Sequence, residues 1–258
     1  MMQKTLSKEI SFQGNALHTG EVVKVKLIPS AENTGIVFVR EDLECAEIPA
    51  LAKYVNRTDR QTILQKGEAS VGTVEHLMAS LYALGIDNLR IKLNGSEIPI
   101  LDGSAAPLVD LILEAGIKEQ SIEKNFYVLE ETFTFKDEDG SEIMALPSDE
   151  FEVSALIDYG SSVLGPQHAH LDKMVNFRDD IASARTFSFL RELEPLLDAG
   201  LIKGGDLNNA IVYVDQDIAP STLDKLKTAF GRDDVEVTQR GTLNNINLRF
   251  SNEAARHK

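Results

Sequence analysis

Metal chemistry in a chain with one cysteine has to come from His, Asp and Glu, and only five histidines are present: His18, His76, His168, His170 and His257. Their neighbours separate them. Glu75 and His76 are adjacent at the start of an apolar-periodic segment, where helical geometry turns the two side chains about 100° apart yet lets them converge on one site. A water held by a metal at His76 would lie within reach of the Glu75 carboxylate. A metallohydrolase needs this pairing, because the metal acidifies its water and the carboxylate takes the proton. Adjacent Glu and His are common, however, and a solvated charge pair is the plainer reading of these two residues alone. No His-Glu-x-x-His is present.

The remaining chemistry-bearing residues read more plainly still. His168-Ala169-His170 follows Gly165-Pro166 and reads as a solvated loop pair that a metal could also use. His18 falls between two strands and reads as a turn histidine satisfied by backbone. His257 stands next to Lys258, where a frayed tail is the default. Gly204-Gly205 follows an apolar helix, as a C-cap or as a place where something approaches the backbone closely. Cys45 has no catalytic-thiol signature. The phosphate-binding patterns G-x-x-x-x-G-K-S/T and G-x-G-x-x-G are absent, as is G-x-S-x-G.

These residues need elements to position them. Runs at Ile10 to Phe12, Val22 to Leu27 and Ile36 to Val39, broken by Gly14-Asn15, Gly20 and Asn33-Thr34-Gly35, predict a small sheet. Val74, Leu77, Met78, Leu81 and Leu84 are spaced for a helix face, with Ser70 or Thr73 as its cap and Gly85 as its stop. A strand over Asn88 to Leu93 and a helix over Ala106 to Ala115 close the first half. The polar stretch Lys118 to Asn125 reads as the boundary. In the second half strands are expected at Phe126 to Leu129, Glu131 to Phe135, Ile143 to Leu146 and Phe151 to Ile157, then helices at Asp179 to Ala184 and Leu190 to Ala199. A strand over Asn209 to Asp215, a helix over Thr222 to Phe230 and short strands at Val235 to Thr238 and Leu248 to Phe250 complete the outline. Strands followed by helices in each half point to α+β.

Composition sets the outer limits. In 258 residues, 26 Lys and Arg face 41 Asp and Glu, a formal net charge of −15. Such a balance argues against a general binder of nucleic acid or anionic membrane, both of which require a basic footprint. Any anionic ligand must therefore find a local basic site. One cysteine permits no internal disulfide, which suits a reducing cytoplasm. No apolar run reaches the roughly 18 residues of a membrane span, nor is a signal peptide apparent.

Seven segments in order carry far more information than any one of them: Leu17-His18-Thr19-Gly20, Pro29 to Gly35, Thr73-Val74-Glu75-His76-Leu77, Gly85-Ile86-Asp87-Asn88, Glu97 to Pro107, Ala184-Arg185-Thr186-Phe187 and Ala255-Arg256-His257-Lys258. Together they resemble the UDP-3-O-acyl-N-acetylglucosamine deacetylase family over nearly the whole chain. The stretch Asp217 to Asn252, with Gly241-Thr242-Leu243-Asn244-Asn245, resembles members fused to a 3-hydroxyacyl-carrier-protein dehydratase, of which no half is present here.

The resemblance implies a cytoplasmic zinc amidase of lipid A synthesis in Gram-negative bacteria. It would remove acetyl from UDP-3-O-(3-hydroxyacyl)-N-acetylglucosamine to leave acetate and the free amine. It also implies two similar α+β domains, residues 1–120 and 121–258, each a small β-sheet packed on helices and facing the other across the active site. By motif position Glu75 would be the general base, His76 and His257 ligands to Zn2+, and Thr186 the hydroxyl that steadies the oxyanion. Phe187 and Lys258 would contact substrate, and Gly204 (with Gly205) and Leu17 would border the acyl tail. Arg256 and Lys258 are the candidate cations for the diphosphate. In the family, His-Lys is followed by x-x-Asp-x-x-Gly-Asp, which supplies a third zinc ligand, and later by a Gly-His that acts as general acid. This chain stops at Lys258. The expectation is a fragment of a longer enzyme, with two of three protein ligands, no general acid and without the helix on which His257 should sit. A truncated paralogue that binds UDP-sugar or acyl ligand without chemistry is the alternative.

Overall fold

The computed structural model of the chain describes residues 1–258 other than 200–201, 218–219 and 238–239. The fold is α+β, several small sheets with few helices. In the first half five strands are ordered Ile10–Asn15, Val22–Pro29, Leu89–Leu93, Ile36–Arg40, Ala46–Pro49. Leu89–Leu93 enters the middle, antiparallel to Val22–Pro29 and parallel to Ile36–Arg40. Alternation builds this sheet: Val23, Val25 and Leu27 point inward and are buried, whereas Lys24 and Lys26 face solvent. Helices α1 (Glu75–Ala83) and α2 (Ala106–Ala115) cover the inner face, with Leu77, Leu81, Leu108 and Ile112 packed against Phe38, Leu27 and Ile91. Burial of these side chains, roughly 1.5–3 kcal/mol each, holds α1 in place.

Several boundaries differ from the sequence reading. Ser70 does not cap α1. It lies in the strand Ala69–Val71 of a three-stranded sheet with Val55–Arg57 and Ile63–Lys66. Thr73 does not cap the helix either: its φ is 53° and its hydroxyl donates to buried Glu97 at 2.8 Å. The polar stretch expected as a connection is the strand Ile117–Glu123, paired antiparallel with Met2–Leu6. Its polar side chains are those of an edge ribbon, exposed along most of its length.

In the second half a hairpin, Phe133–Lys136 with Glu142–Ala145, precedes the antiparallel pair Val153–Ile157 and Gln167–Leu171. Phe126 to Leu129 forms no strand, and Phe126, Tyr127 and Val128 are exposed. The histidine pair expected on a loop is on a strand, with Ala169 and Leu171 turned inward and His168 and His170 outward. Helix α3 is a single turn, Phe177–Asp180, earlier and shorter than expected; Phe177 anchors it, and Ile181 and Ala182, just past its end, join the same apolar cluster. Strand Phe187–Phe189 runs parallel to Ile211–Val214, which also pairs with Gly241–Thr242. Helices α4 (Leu190–Asp198) and α5 (Pro220–Phe230) pack on that sheet through Leu190, Leu193 and Leu226. Val235 to Val237 and Leu248 to Phe250 carry no strand, and Thr238 lies outside the described residues. The chain closes on α6 (Glu253–His257).

The two halves meet at the loop before α2. The Gly103 carbonyl accepts from the Thr186 amide at 2.7 Å, and Arg249 bonds Asp102 at 2.9 Å and the Ser183 carbonyl at 2.8 Å. Gly103 has φ 80°, and a Cβ there would overlap the Asn209 carbonyl. Gly103→Ala is therefore expected to cost about 1–3 kcal/mol. Thermal unfolding checks this, and an unchanged midpoint would contradict the close approach.

Candidate active site

Helix α1 starts without a side-chain cap, so its first-turn amides and positive dipole end are left for the acidic residue at its N-terminus, Glu75. One carboxylate oxygen of Glu75 accepts from the Thr62 amide at 3.0 Å. The other, Oε2, is buried with no partner. Burial pushes this carboxyl above its ordinary value, against the pull of the backbone amides. A carboxylate tied by one oxygen and idle at the other has the form of an oriented proton acceptor.

His76 faces the opposite half, where α6 delivers His257. Their ring centroids are 5.2 Å apart at 82°. The tail histidine is thus a half-buried helix residue rather than a frayed end, and the helix expected to be missing is present as one short turn. Arg185 and Glu253 explain why so short a helix forms. Glu253 is fully buried and takes the Arg185 guanidinium at 2.8 and 3.2 Å, the Arg185 amide at 3.0 Å and the Arg249 amide at 2.6 Å. That carboxylate pins α6 to the segment that runs directly into Thr186 and Phe187.

Burial lowers the His76 imidazole to about 4, with Asp102 pulling the other way, and lowers His257 to about 3, assisted by neighbouring His76. Both rings are held neutral, the protonation state a metal ligand requires. His257 Nδ1 lies 3.3 Å from the Ala184 carbonyl, so that nitrogen carries the proton and Nε2 is left to ligate. Two neutral imidazoles that face each other could hold a metal ion, and the residue that precedes His76, Glu75, keeps one buried oxygen unpartnered. Among the described residues no group of three or more His, Cys, Asp or Glu surrounds a common metal position.

The structure brings Phe187 and Lys258 to the same place. The Phe187 ring lies 6.3 Å from that of His257, and Lys258 Nζ sits 5.9 Å over it. Thr186 is half-buried, fixed by its amide to Gly103 and by its carbonyl to the Ile211 amide at 2.8 Å. Leu17 and Gly204 are joined by a backbone hydrogen bond of 3.0 Å. What approaches Gly204 is the chain itself, since a Cβ there would overlap the Ala16 carbonyl. Arg256 departs from expectation: it stacks 4.4 Å over Phe250 and bonds Asn252 and the Asp180 carbonyl, so its charge is spent inside its own half. His18 also departs. It is buried, with the Arg60 backbone and the Glu97 carboxylate acting on its ring, although neither ring nitrogen closes a hydrogen bond of ordinary geometry. Glu97, Thr62, Arg185 and Glu253 received no individual role in the sequence reading. Nothing local in the sequence marks Glu253 or Thr62, because their partners Arg185 and Glu75 are 68 and 13 residues away.

With the geometry established, similarity to known proteins decides the lineage. A model of the UDP-3-O-acyl N-acetylglycosamine deacetylase family matches residues 3–228. The chain belongs to this family. A bifunctional enzyme LpxC/FabZ of Bacteroides thetaiotaomicron is 46% identical over 260 residues, which are 100% of this chain and 56% of that protein. Its counterpart in Porphyromonas gingivalis is 44% identical over 99% of this chain and 56% of its own length. A UDP-3-O-acyl-N-acetylglucosamine deacetylase of Myxococcus xanthus is 42% identical over 99% of this chain and 74% of its own. The chain thus spans a little over half the length of the bifunctional deacetylase relatives. No helix among the described residues is long and apolar enough to cross a membrane.

Proposed function

We propose that this chain carries the catalytic face of a zinc-dependent deacetylase that hydrolyses the N-acetyl group of UDP-3-O-(3-hydroxyacyl)-N-acetylglucosamine in lipid A synthesis. The observation that carries the reading is the meeting of His76 and His257, 5.2 Å apart, with Glu75, its second oxygen unpartnered, next to His76 in the chain. Family membership supports the substrate class. His76 and His257 would hold the zinc, which when bound supplies Lewis acidity toward an amide carbonyl and toward water.

The chain's own residues do the rest. Glu75 Oε2 takes the proton of the water that adds to the acetyl carbon, while Thr62 keeps the carboxylate aimed. Thr186 donates its hydroxyl to the oxygen that gains charge as that carbon becomes tetrahedral. Cleavage of the C–N bond then gives acetate and the 2-amine, whose proton the resemblance assigns to a histidine downstream of Lys258. Phe187 packs on the sugar, Lys258 attracts the diphosphate, and Leu17 with Gly204 borders the acyl tail. A dehydratase fused downstream belongs to the same reading, supported by the bifunctional relatives. The exposed, unpaired Cys45 suits the cytoplasm that this reading assumes.

Acetate release from the UDP-acyl-sugar tests the reading, measured with zinc and with a chelator, on this chain and on one extended through the family's next segment. Zinc-dependent release in the extended protein is expected. Ligand binding without release in either form would favour the non-catalytic alternative.

A further inference from the structure

Residues 58–62 arch from the strand Val55–Arg57 to Ile63–Lys66, and this arch supplies the Thr62 amide that fixes Glu75. Two residues earlier, Arg60 takes a left-handed backbone, φ 62°, which a long side chain adopts only when something holds it there. Its backbone meets buried His18 of its own half, and its side chain is held from the other half. The guanidinium grips both oxygens of Glu192 at 3.0 and 2.9 Å, a two-pronged fork. Glu192 is itself fixed at the start of α4 by Ser188 Oγ at 3.2 Å and the Phe189 amide at 3.3 Å. That anchor immediately follows Thr186 and Phe187 in the chain. Between Arg60 and Thr62, Gln61 Oε1 lies 3.1 Å from the Thr73 hydroxyl, whose proton goes to Glu97.

We propose that Arg60 and Glu192 are a positioning latch across the two halves: the pair holds the arch down, and the arch holds the Thr62 amide on Glu75. The catalytic consequence rests on Glu75 being the base, as proposed above. The mechanical claim does not. With the latch closed, Glu75 keeps one oxygen occupied and the other presented. With it open, the carboxylate loses its orienting donor and turns away for part of the time. Arg60 touches neither Glu75 nor a metal ligand, so its loss changes orientation without removing a reacting group. The pair is half-exposed, which keeps the latch weak enough to open as substrate enters.

Amide hydrogen exchange at Thr62 in the full chain tests the latch directly, comparing the parent with Arg60→Ala, Arg60→Lys and Glu192→Gln. Exchange at Thr62 is expected to rise about fivefold in Arg60→Ala and less in Arg60→Lys, which keeps the charge but loses the fork, while the amides of α2 stay unchanged. In the extended protein kcat should fall by a similar factor in the same order, with KM and zinc content preserved. Unchanged Thr62 exchange in Arg60→Ala overturns the latch. Faster exchange confirms it even where the extended protein releases no acetate, an outcome that would count against the deacetylase reading alone.

Discussion

Glu75→Gln in the protein extended past Lys258 is expected to lower kcat by about 10²–10⁴-fold and leave the zinc content as it was. Glutamine keeps an oxygen for the Thr62 amide, so the tie at 3.0 Å survives and the helix start is undisturbed. What disappears is the second oxygen, buried and without a partner, which has no structural work to lose. An ordinary buried carboxylate stripped of its charge would change stability; this one should change rate. Steady-state kinetics with metal analysis on the same preparations gives the answer, and turnover within about twofold of the parent would remove Glu75 from the role of base.

Glu253→Ala and Arg185→Ala are expected to be the most damaging substitutions away from the reacting groups. The Glu253 side chain is wholly buried and that of Arg185 nearly so, and removal of either partner strands the other charge at a cost of about 3–5 kcal/mol. The loss falls on α6, and with it on the position of His257. Both variants should therefore unfold earlier and bind zinc more weakly, by a route that does not touch the imidazoles. The pH dependence follows from the same contacts. Burial would push Glu253 up, yet the Arg185 fork and the two backbone amides hold it below its ordinary value. A carboxyl depressed in the folded state contributes stability above its unfolded value and loses it as pH falls through the folded one. The stability gap between the parent and Glu253→Gln should therefore narrow as the solution is acidified, and a gap that widens in acid would contradict the pairing.

How much of this was legible in the residues depends on whether the deciding contact is local. Val23 to Leu27 alternates strictly and becomes part of a half-buried strand as read, and the apolar spacing of Leu77, Leu81, Leu108 and Ile112 marks the helix faces that pack on it. The start of α1 was misplaced because Ser70 and Thr73 have the right chemistry for a cap, but Ser70 is claimed by strand pairing with Gln65 and Thr73 by Glu97. Phe126 to Leu129 has strand composition and no strand to pair with, whereas the polar Ile117–Glu123 has Met2–Leu6 waiting for it. Pairing across more than a hundred residues leaves no trace in a local window. The same holds for the candidate site. The pairing of Glu75 with His76 was visible as chemistry, and His257 was assigned through family resemblance, but the devices that set them in place are long-range: Thr62 on Glu75, Glu253 on Arg185, Gly103 against Asn209.

Zinc titration of the extended protein, compared with His76→Ala and His257→Ala, tests the central claim most directly. The account predicts one tightly bound zinc per chain in the parent and loss of that zinc in each variant, although the two histidines come from opposite halves. Retention of full zinc affinity in His257→Ala would show that the rings meeting at 5.2 Å do not form a shared metal site.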